Sequence, residues 1–294
     1  MGLFDAFKKK PEKTPAPEIQ GPAASAPGVN AALRKILDDY IQKTSVPSIA
    51  LTARRGDCGL TDSKFGGAPY LPRGFAYPAD QDGVPLRLLA QLNFDTLPKL
   101  GGFPQTGILQ FYIGEDDLMG ADYKEPTRQN GFRVVYHETV SGDPLPPDSL
   151  PAPKSDGVFP FSGQFALDAR ETPCPMTSSD YRFDGEFMEV YRKYVKTSAT
   201  SVYKLDDGVT VPVFGELSIS GHRVGGCPYF TQDDPRDFDA VLRQYTTLLL
   251  QVDSCGSGAD EIQWGDSGAA NFLIRPGDLA RLDFSDVFYY WDCC

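Results

Sequence analysis

The sequence predicts an α+β fold, β-rich, made of an internally duplicated unit with two similar halves in rough two-fold pseudo-symmetry, plus an N-terminal helix. Three observations carry this. Prolines and glycines, 25 and 29 of 294 residues, are spread between short apolar runs, which favours short strands and many turns. At 41% hydrophobic residues the chain has enough apolar surface to build a core. Most telling, three blocks recur in the same order about 160 residues apart.

The first block, Ser63-Lys64-Phe65-Gly66-Gly67-Ala68-Pro69-Tyr70, returns as His222-Arg223-Val224-Gly225-Gly226-Cys227-Pro228-Tyr229. Leu89-Ala90-Gln91-Leu92-Asn93 returns as Leu249-Leu250-Gln251-Val252-Asp253, and Gly107 to Leu118 returns as Gly268 to Leu279. The Gly-Gly-x-Pro-Tyr stretch reads first as a tight turn, with glycine supplying positive φ and proline fixing the exit. A glutamine inside an apolar strand needs a partner, since a buried amide left unpaired costs about 1–3 kcal/mol. Gln91 and Gln251 are therefore expected to hold neighbouring loop backbone.

Taken in order, residues 1–28 read as a flexible tail and a Pro/Ala linker. Residues 1–10 also suit a short helix touching a membrane surface or partner groove, with Leu3, Phe4 and Phe7 on one side, but a frayed solvated tail is the plainer expectation. Val29 to Thr44 carries apolar residues at helical spacing and stops before Val46-Pro47. Ile49 to Ala53, Leu86 to Phe94, Gly107 to Ile113 and Phe132 to Glu138 read as strands. These fall in a first repeat of about 46–140, followed by a connecting section of about 141–215 and a second repeat of about 216–294, all within one domain over 29–294.

In the connecting section Asp180 to Val195 is moderately helical, while Val209 to Phe214 and Glu216 to Ser220 are short strand candidates. Pro235 to Arg243 suggests a helix before the strand Thr246 to Asp253. The aromatic Phe284 to Asp292 is expected as a buried core or edge strand.

A net charge of -12 disfavours nucleic acid, whose backbone is bound by clustered Lys and Arg. It would steer a basic peptide or protein toward the surface. No run of apolar residues is long enough for a membrane span, and no signal-peptide pattern opens the chain. The cysteines Cys58, Cys174, Cys227, Cys255, Cys293 and Cys294 are expected as reduced thiols.

These blocks resemble the YwqG-like family, a bacterial domain of unknown function. The resemblance rests on the segments quoted above, together with Trp264-Gly265-Asp266-Ser267-Gly268 and the closing Asp278-Leu279-x-x-Leu282-Asp283-Phe284-Ser285, and covers about residues 46 to 294. It implies a cytoplasmic α+β protein with a duplicated sheet. It brings no reaction, cofactor or catalytic residue.

Candidate chemistry concentrates in the second repeat. His222, Cys227 and Cys255 with Asp253 would supply a thiol nucleophile and base, or a metal site, although no Cys-x-x-Cys or His-x-x-x-His spacing supports zinc. Gly265-Asp266-Ser267-Gly268 invites a serine-protease reading, but Ala269-Ala270 follow and a polar turn is preferred. Asp253, Asp266, Asp278 and Asp283 suit capping and turn duties as well as a cation. No phosphate loop is present, and no metal or cofactor is expected.

The leading expectation is a binding module with no catalytic role, accepting a peptide or protein in a cleft between the repeats. Its expected lining is Gly66, Gly67, Tyr70, His222, Arg223, Gly225, Gly226, Tyr229, Trp264 and Asp266. The alternative is a hydrolase or transferase using His222 with Asp253 or Cys227.

Overall fold

The computed structural model describes residues 29–140, 142–152 and 157–293. The tail, the linker and Cys294 lie outside the described residues, and with them the proposed membrane contact through residues 1–10. Ten antiparallel strands form one sheet, accompanied by five α-helices among the described residues.

Helix α1 (Ala31–Thr44) begins where the Asn30 side chain accepts the Leu33 N–H at 2.9 Å, and it buries Leu33, Ile36, Leu37 and Tyr40. Strand β1 (Val46–Arg55) follows at once and runs longer than its apolar centre suggested. It is followed by β2 (Lys64–Gly66), β3 (Arg87–Asn93), β4 (Ile108–Ile113) and β5 (Phe132–His137). Then come β6 (Gln164–Cys174), α2 (Phe183–Tyr194), α3 (Asp207–Leu217), β7 (His222–Gly225) and α4 (Pro235–Phe238). Strands β8 (Thr247–Asp253), β9 (Ala269–Ile274) and β10 (Val287–Asp292) complete the sheet, with the short α5 (Pro276–Ala280) before β10.

The helix expected over Pro235 to Arg243 ends at Phe238, and β2 and β7 pair where only loops were expected. Two larger assignments also differ from the sequence pattern. Residues 209–217 form α3, not strands, because Val213 and Leu217 share one helical face that packs on the α1 and α2 core, a tertiary gain that overrides valine's β preference. The sequence gives no strand over 164–174, yet β6 pairs along all ten residues of β1, from Val46 opposite Cys174 to Arg55 opposite Phe165.

The sheet order is β10-β9-β8-β7-β1-β6-β2-β3-β4-β5. From the central β1/β6 pair, β2 to β5 run outward in chain order on one side and β7 to β10 on the other. The sheet curls into a nearly closed barrel whose inner face carries one continuous core from both wings. Phe111 of β4 meets Phe272 of β9 at 5.0 Å between ring centroids, and Phe132 of β5 meets Tyr289 of β10 at 5.1 Å. The segment after β4 bridges the two ends: Tyr289 donates its N–H to the Pro126 carbonyl at 3.0 Å, and Trp291 Nε1 donates to that of Leu118 at 2.7 Å.

Strands β3, β4, β8 and β9 are buried on both faces. A register shift between Leu88 and Ala90 turns Ala90 and Leu92 inward and Gln91 outward. The matching shift between Leu248 and Leu250 does the same for Gln251. A second core, built from α1, α2, α3, Cys174 and Cys227, packs against the end of β6.

Candidate functional site

The two Gly-Gly loops begin at opposite ends of the central strand pair. Gly66 lies opposite Gln164, at the start of β6, whereas Gly225 lies opposite Ser48, which itself faces Thr172. Eight residues of β6 separate them, or about 26 Å at 3.3 Å per residue. The expected cleft lined by both loops therefore does not form. The described cavities contact one loop or the other.

Both loops are built in the same way. Gly66 and Gly225 have φ of 65° and 70°, and a Cβ would stand 2.5 Å from the Gly163 carbonyl oxygen in one and from Leu100 Cδ2 in the other, so only glycine fits. Gly67 and Gly226 continue at φ of 72° and 77°. Each loop then folds back over the outer face of its strand pair. Gln91 Oε1 accepts the Tyr70 N–H at 2.9 Å, and Gln251 Oε1 accepts the Tyr229 N–H at 2.8 Å. The amide nitrogens reach the preceding loops, Gln91 to the Leu60 and Asp62 carbonyls and Gln251 to that of Gly221.

The basic residue ahead of each glycine pair is also a tether. Lys64 donates to the carbonyls of Gly59 and Leu60, and Arg223 to those of Ile219 and Ser220. Burial brings the Lys64 ammonium down to about 8. Gly66, Gly67, Gly225, Gly226, Arg223 and the fully buried Tyr70 are thus accounted for by the fold. Trp264 is completely buried against Trp291, and Asp266 lies on an exposed turn.

The larger cavity, about 730 Å³, opens beside the first loop. Its walls include Gly67, Ala68 and Pro69, the start of β3 and the ends of β1 and β6. Inside, Arg87 pairs with the buried Glu115 at 3.1 Å and lies 4.0 Å from the centre of the Phe159 ring. Arg55 is engaged by Asp260 at 3.2 Å and by the Ser162 carbonyl at 2.9 Å. The exposed carboxylates of Asp57 and Asp148 also line the cavity. Sequence reasoning found the loop residues here but missed Arg55 and Arg87, which lie outside the repeated blocks, and Glu115, which lies within one but has no acidic counterpart in the other.

The smaller cavity, about 280 Å³, is lined by Ser220, Tyr229, Asp253, Ser254, Cys255 and Ser267 among others. His222 lies behind this wall. Its Nδ1 accepts the Asp253 backbone N–H at 3.0 Å, so the proton of the neutral ring sits on Nε2, which faces Cys255 Sγ at 3.3 Å. Burial, then the Arg223 charge, lower His222 to about 4, and burial pushes the Cys255 thiol up to about 11. The pair rests as neutral imidazole and thiol.

The Asp253 carboxylate accepts the N–H groups of Gly221 at 2.6 Å and Ser254 at 2.9 Å, and burial raises its affinity for a proton. His222 thus meets the backbone of Asp253 and the side chain of Cys255, whereas Cys227 lies in the other core beside Cys174. A general base needs a free ring lone pair aimed at its nucleophile, and here the lone pair is occupied by an amide. Among the described residues no group of three or more His, Cys, Asp or Glu side chains is placed to hold a metal ion. Asp278 pairs with Arg275 and Arg281, and Asp283 accepts from Ser285, as turn-holding carboxylates do.

Ser267 of the Gly-Asp-Ser-Gly turn has φ of 119°, a conformation L-residues rarely adopt. Its N–H bonds to the Trp264 carbonyl at 3.2 Å, which closes a turn into β9.

No curated protein matches the sequence. The model of a family described as a domain of unknown function, DUF1963, matches residues 63–293, from the first Gly-Gly loop to the end of β10. That span takes in both loops, the smaller cavity, most of the larger one and every strand except β1, and by it the chain belongs to the DUF1963 family.

Proposed function

We propose that the protein is a binding module that takes a peptide segment of a partner in the cavity beside the first Gly-Gly loop. The observation that carries this is the cavity itself. At about 730 Å³ it lies within the ~300–1,000 Å³ usual for ligand sites. Its loop wall is fixed by the Gln91 and Lys64 tethers, so little ordering is needed when a ligand enters.

Arg87 is committed to Glu115 and Arg55 to Asp260, which leaves the exposed Asp57 and Asp148 to set the sign of the entrance. A peptide with a Lys or Arg side chain suits that entrance and an acidic chain. Proline rings at 69, 85, 147 and 151 add flat apolar walls that suit an extended backbone.

The test is binding of fluorescent basic and acidic peptide pools to wild type and to Ala68→Trp, which fills the cavity from a half-buried position. Basic peptides are expected to bind wild type and to lose affinity at least about tenfold in the variant at unchanged melting temperature. Equal binding by both proteins, or none by wild type, rejects this site.

A second reading, a hydrolase or transferase using His222, is favoured by one observation, the 3.3 Å approach of His222 Nε2 to Cys255 beside the smaller cavity. It would require Nε2 to surrender its proton and accept another. Cys227 has no part in it.

We further read the two wings as products of duplication and the chain as a bacterial, cytoplasmic YwqG-like protein. The matched register shifts and the shared use of Gln91 and Gln251 support duplication. Separately expressed halves that associate into one sheet would agree with it, and halves that never pair would oppose it. Cell fractionation tests the location.

A further inference from the structure

Beneath the second Gly-Gly loop lies a buried group of two thiols and a guanidinium that the binding reading does not use. Cys174 closes β6, and Cys227 is the variable residue of the Gly-Gly-x-Pro loop. Each thiol faces the other residue's backbone, Cys174 Sγ at 3.8 Å from the Cys227 carbonyl oxygen and Cys227 Sγ at 4.0 Å from that of Cys174. The Cys227 N–H donates to Cys174 Sγ at 3.4 Å, and Arg223 Nη1 donates to the same sulfur at 2.9 Å. Cys174 and Cys227 are 3% and 5% exposed.

Buried cysteines usually serve as small apolar side chains. That role does not account for this sulfur, because a guanidinium taken out of water needs an acceptor of matching charge. The described contacts of Arg223 are Cys174 Sγ and the carbonyls of Ile219, Ser220 and Cys227. Sulfur is the one acceptor among these that can carry a full negative charge. Hydrogen bonding from Cys227, with the charge of Arg223 and against burial, holds Cys174 below its usual value. The neighbouring Cys174 and burial hold Cys227 above its usual value.

We propose that Cys174 and Cys227 form a peroxide-responsive dithiol, with Cys174 as the attacking thiolate and Cys227 as the resolving thiol. The Cys174 sulfur attacks one oxygen of hydrogen peroxide, the O–O bond breaks, and hydroxide leaves with Cys174 as the sulfenic acid. The Cys227 sulfur then attacks the Cys174 sulfur. Its proton passes to the departing hydroxide as the S–O bond breaks and the S–S bond forms. Two thiols and one peroxide give one disulfide and two waters, with two electrons passing from sulfur to oxygen. A dithiol reductant reverses the change.

Burial restricts attack on the closed loop to oxidants of about the size of water, and a dithiol reductant reaches the disulfide only when the loop opens. Closure would bolt the second loop to the end of β6. The first loop has Ala68 where the second has Cys227, so the device belongs to one wing only.

The experiment treats the intact wild-type protein with a few equivalents of hydrogen peroxide, quenches in acid and maps the thiols by mass spectrometry. The expected product is a linked Cys174–Cys227 peptide, two hydrogens lighter than its parts and separated again by dithiothreitol. In Cys227→Ser, Cys174 is expected to be trapped as a dimedone adduct. In Arg223→Lys, which keeps the charge, the rate should stay within about threefold of wild type, whereas Arg223→Gln should slow it at least about tenfold. Recovery of both residues as free thiols in wild type while the half-exposed Cys58 and the exposed Cys255 are oxidised overturns the proposal.

Discussion

The backbone N–H of Asp253 donates to His222 Nδ1 at 3.0 Å, and at the aligned place in the other wing the N–H of Asn93 donates to Ser63 Oγ at 2.9 Å. A serine hydroxyl and an imidazole nitrogen perform one task, closing the strand end onto the preceding loop. What His222 adds is its far nitrogen, aimed at Cys255.

This fixes how stability depends on pH. The folded His222 titrates near 4, below the ~6.5 of an unfolded histidine, so between these values the unfolded chain binds more protons and stability falls as pH falls. The loss should reach about 3 kcal/mol by pH 4. His222→Asn retains an acceptor for the Asp253 amide. Urea melts across pH 4–7 should show a shallower slope for this variant, by about one proton.

Alkylation of Cys255 tests whether the neighbouring ring activates it. With the thiol pushed up to about 11, its reaction with iodoacetamide should be slow at pH 7 and rise about tenfold per pH unit toward pH 10. A rate that levels off near pH 7 would mean a thiolate–imidazolium pair and would favour the enzyme reading.

The tethering glutamines differ in the number of groups they satisfy. Gln91 accepts from Tyr70 N and Gln110 Nε2 and donates to two carbonyls, whereas Gln251 accepts from Tyr229 N and donates to one carbonyl. Gln91→Leu should cost about 3 kcal/mol or more and Gln251→Leu about 2 kcal/mol, measured by equilibrium unfolding. Equal small losses would show that neither amide is needed to hold its loop.

Arg236 tests a buried charge network. Its fully buried guanidinium bonds to Asp234 at 2.7 Å and to Asp180 at 3.2 Å. Arg236→Met leaves the buried Asp234 without its counter-ion, while Asp180 keeps Arg182 at 2.7 Å, and should cost about 3–5 kcal/mol. Adding Asp234→Asn should recover part of that loss, which a double-mutant cycle would detect.

The repeated blocks made the strands legible because each carries its own local signal, as in Leu89 to Asn93 with one glutamine among apolar neighbours. They also led to the right partners for Gln91 and Gln251. Strand β6 was illegible because Asp168, Arg170 and Glu171 break any apolar run, and its pairing partner lies more than 100 residues earlier. Helix α3 was misread because Val209, Val211 and Val213 alternate like a strand, whereas packing on Phe183 and Tyr40 decides otherwise.

At the site, His222 and Asp253 could be placed side by side from the repeat. The separation of the two loops could not, because it depends on the antiparallel register of β1 with β6, which no local pattern encodes. Cys174 escaped notice for the same reason, since its partners Arg223 and Cys227 are reached only through the sheet.

That register also dictates an order of assembly. The neighbours of β1 in the sheet are β6 and β7, which begin at Gln164 and His222. As the chain leaves the ribosome, β3, β4 and β5 can pair as a local meander, while β1 has both edges open until more than half the protein has been made. The strand at the centre of the finished sheet is thus among the first synthesised yet waits for β6 and β7, and for that interval the nascent chain carries an unpaired ten-residue edge that other chains can capture.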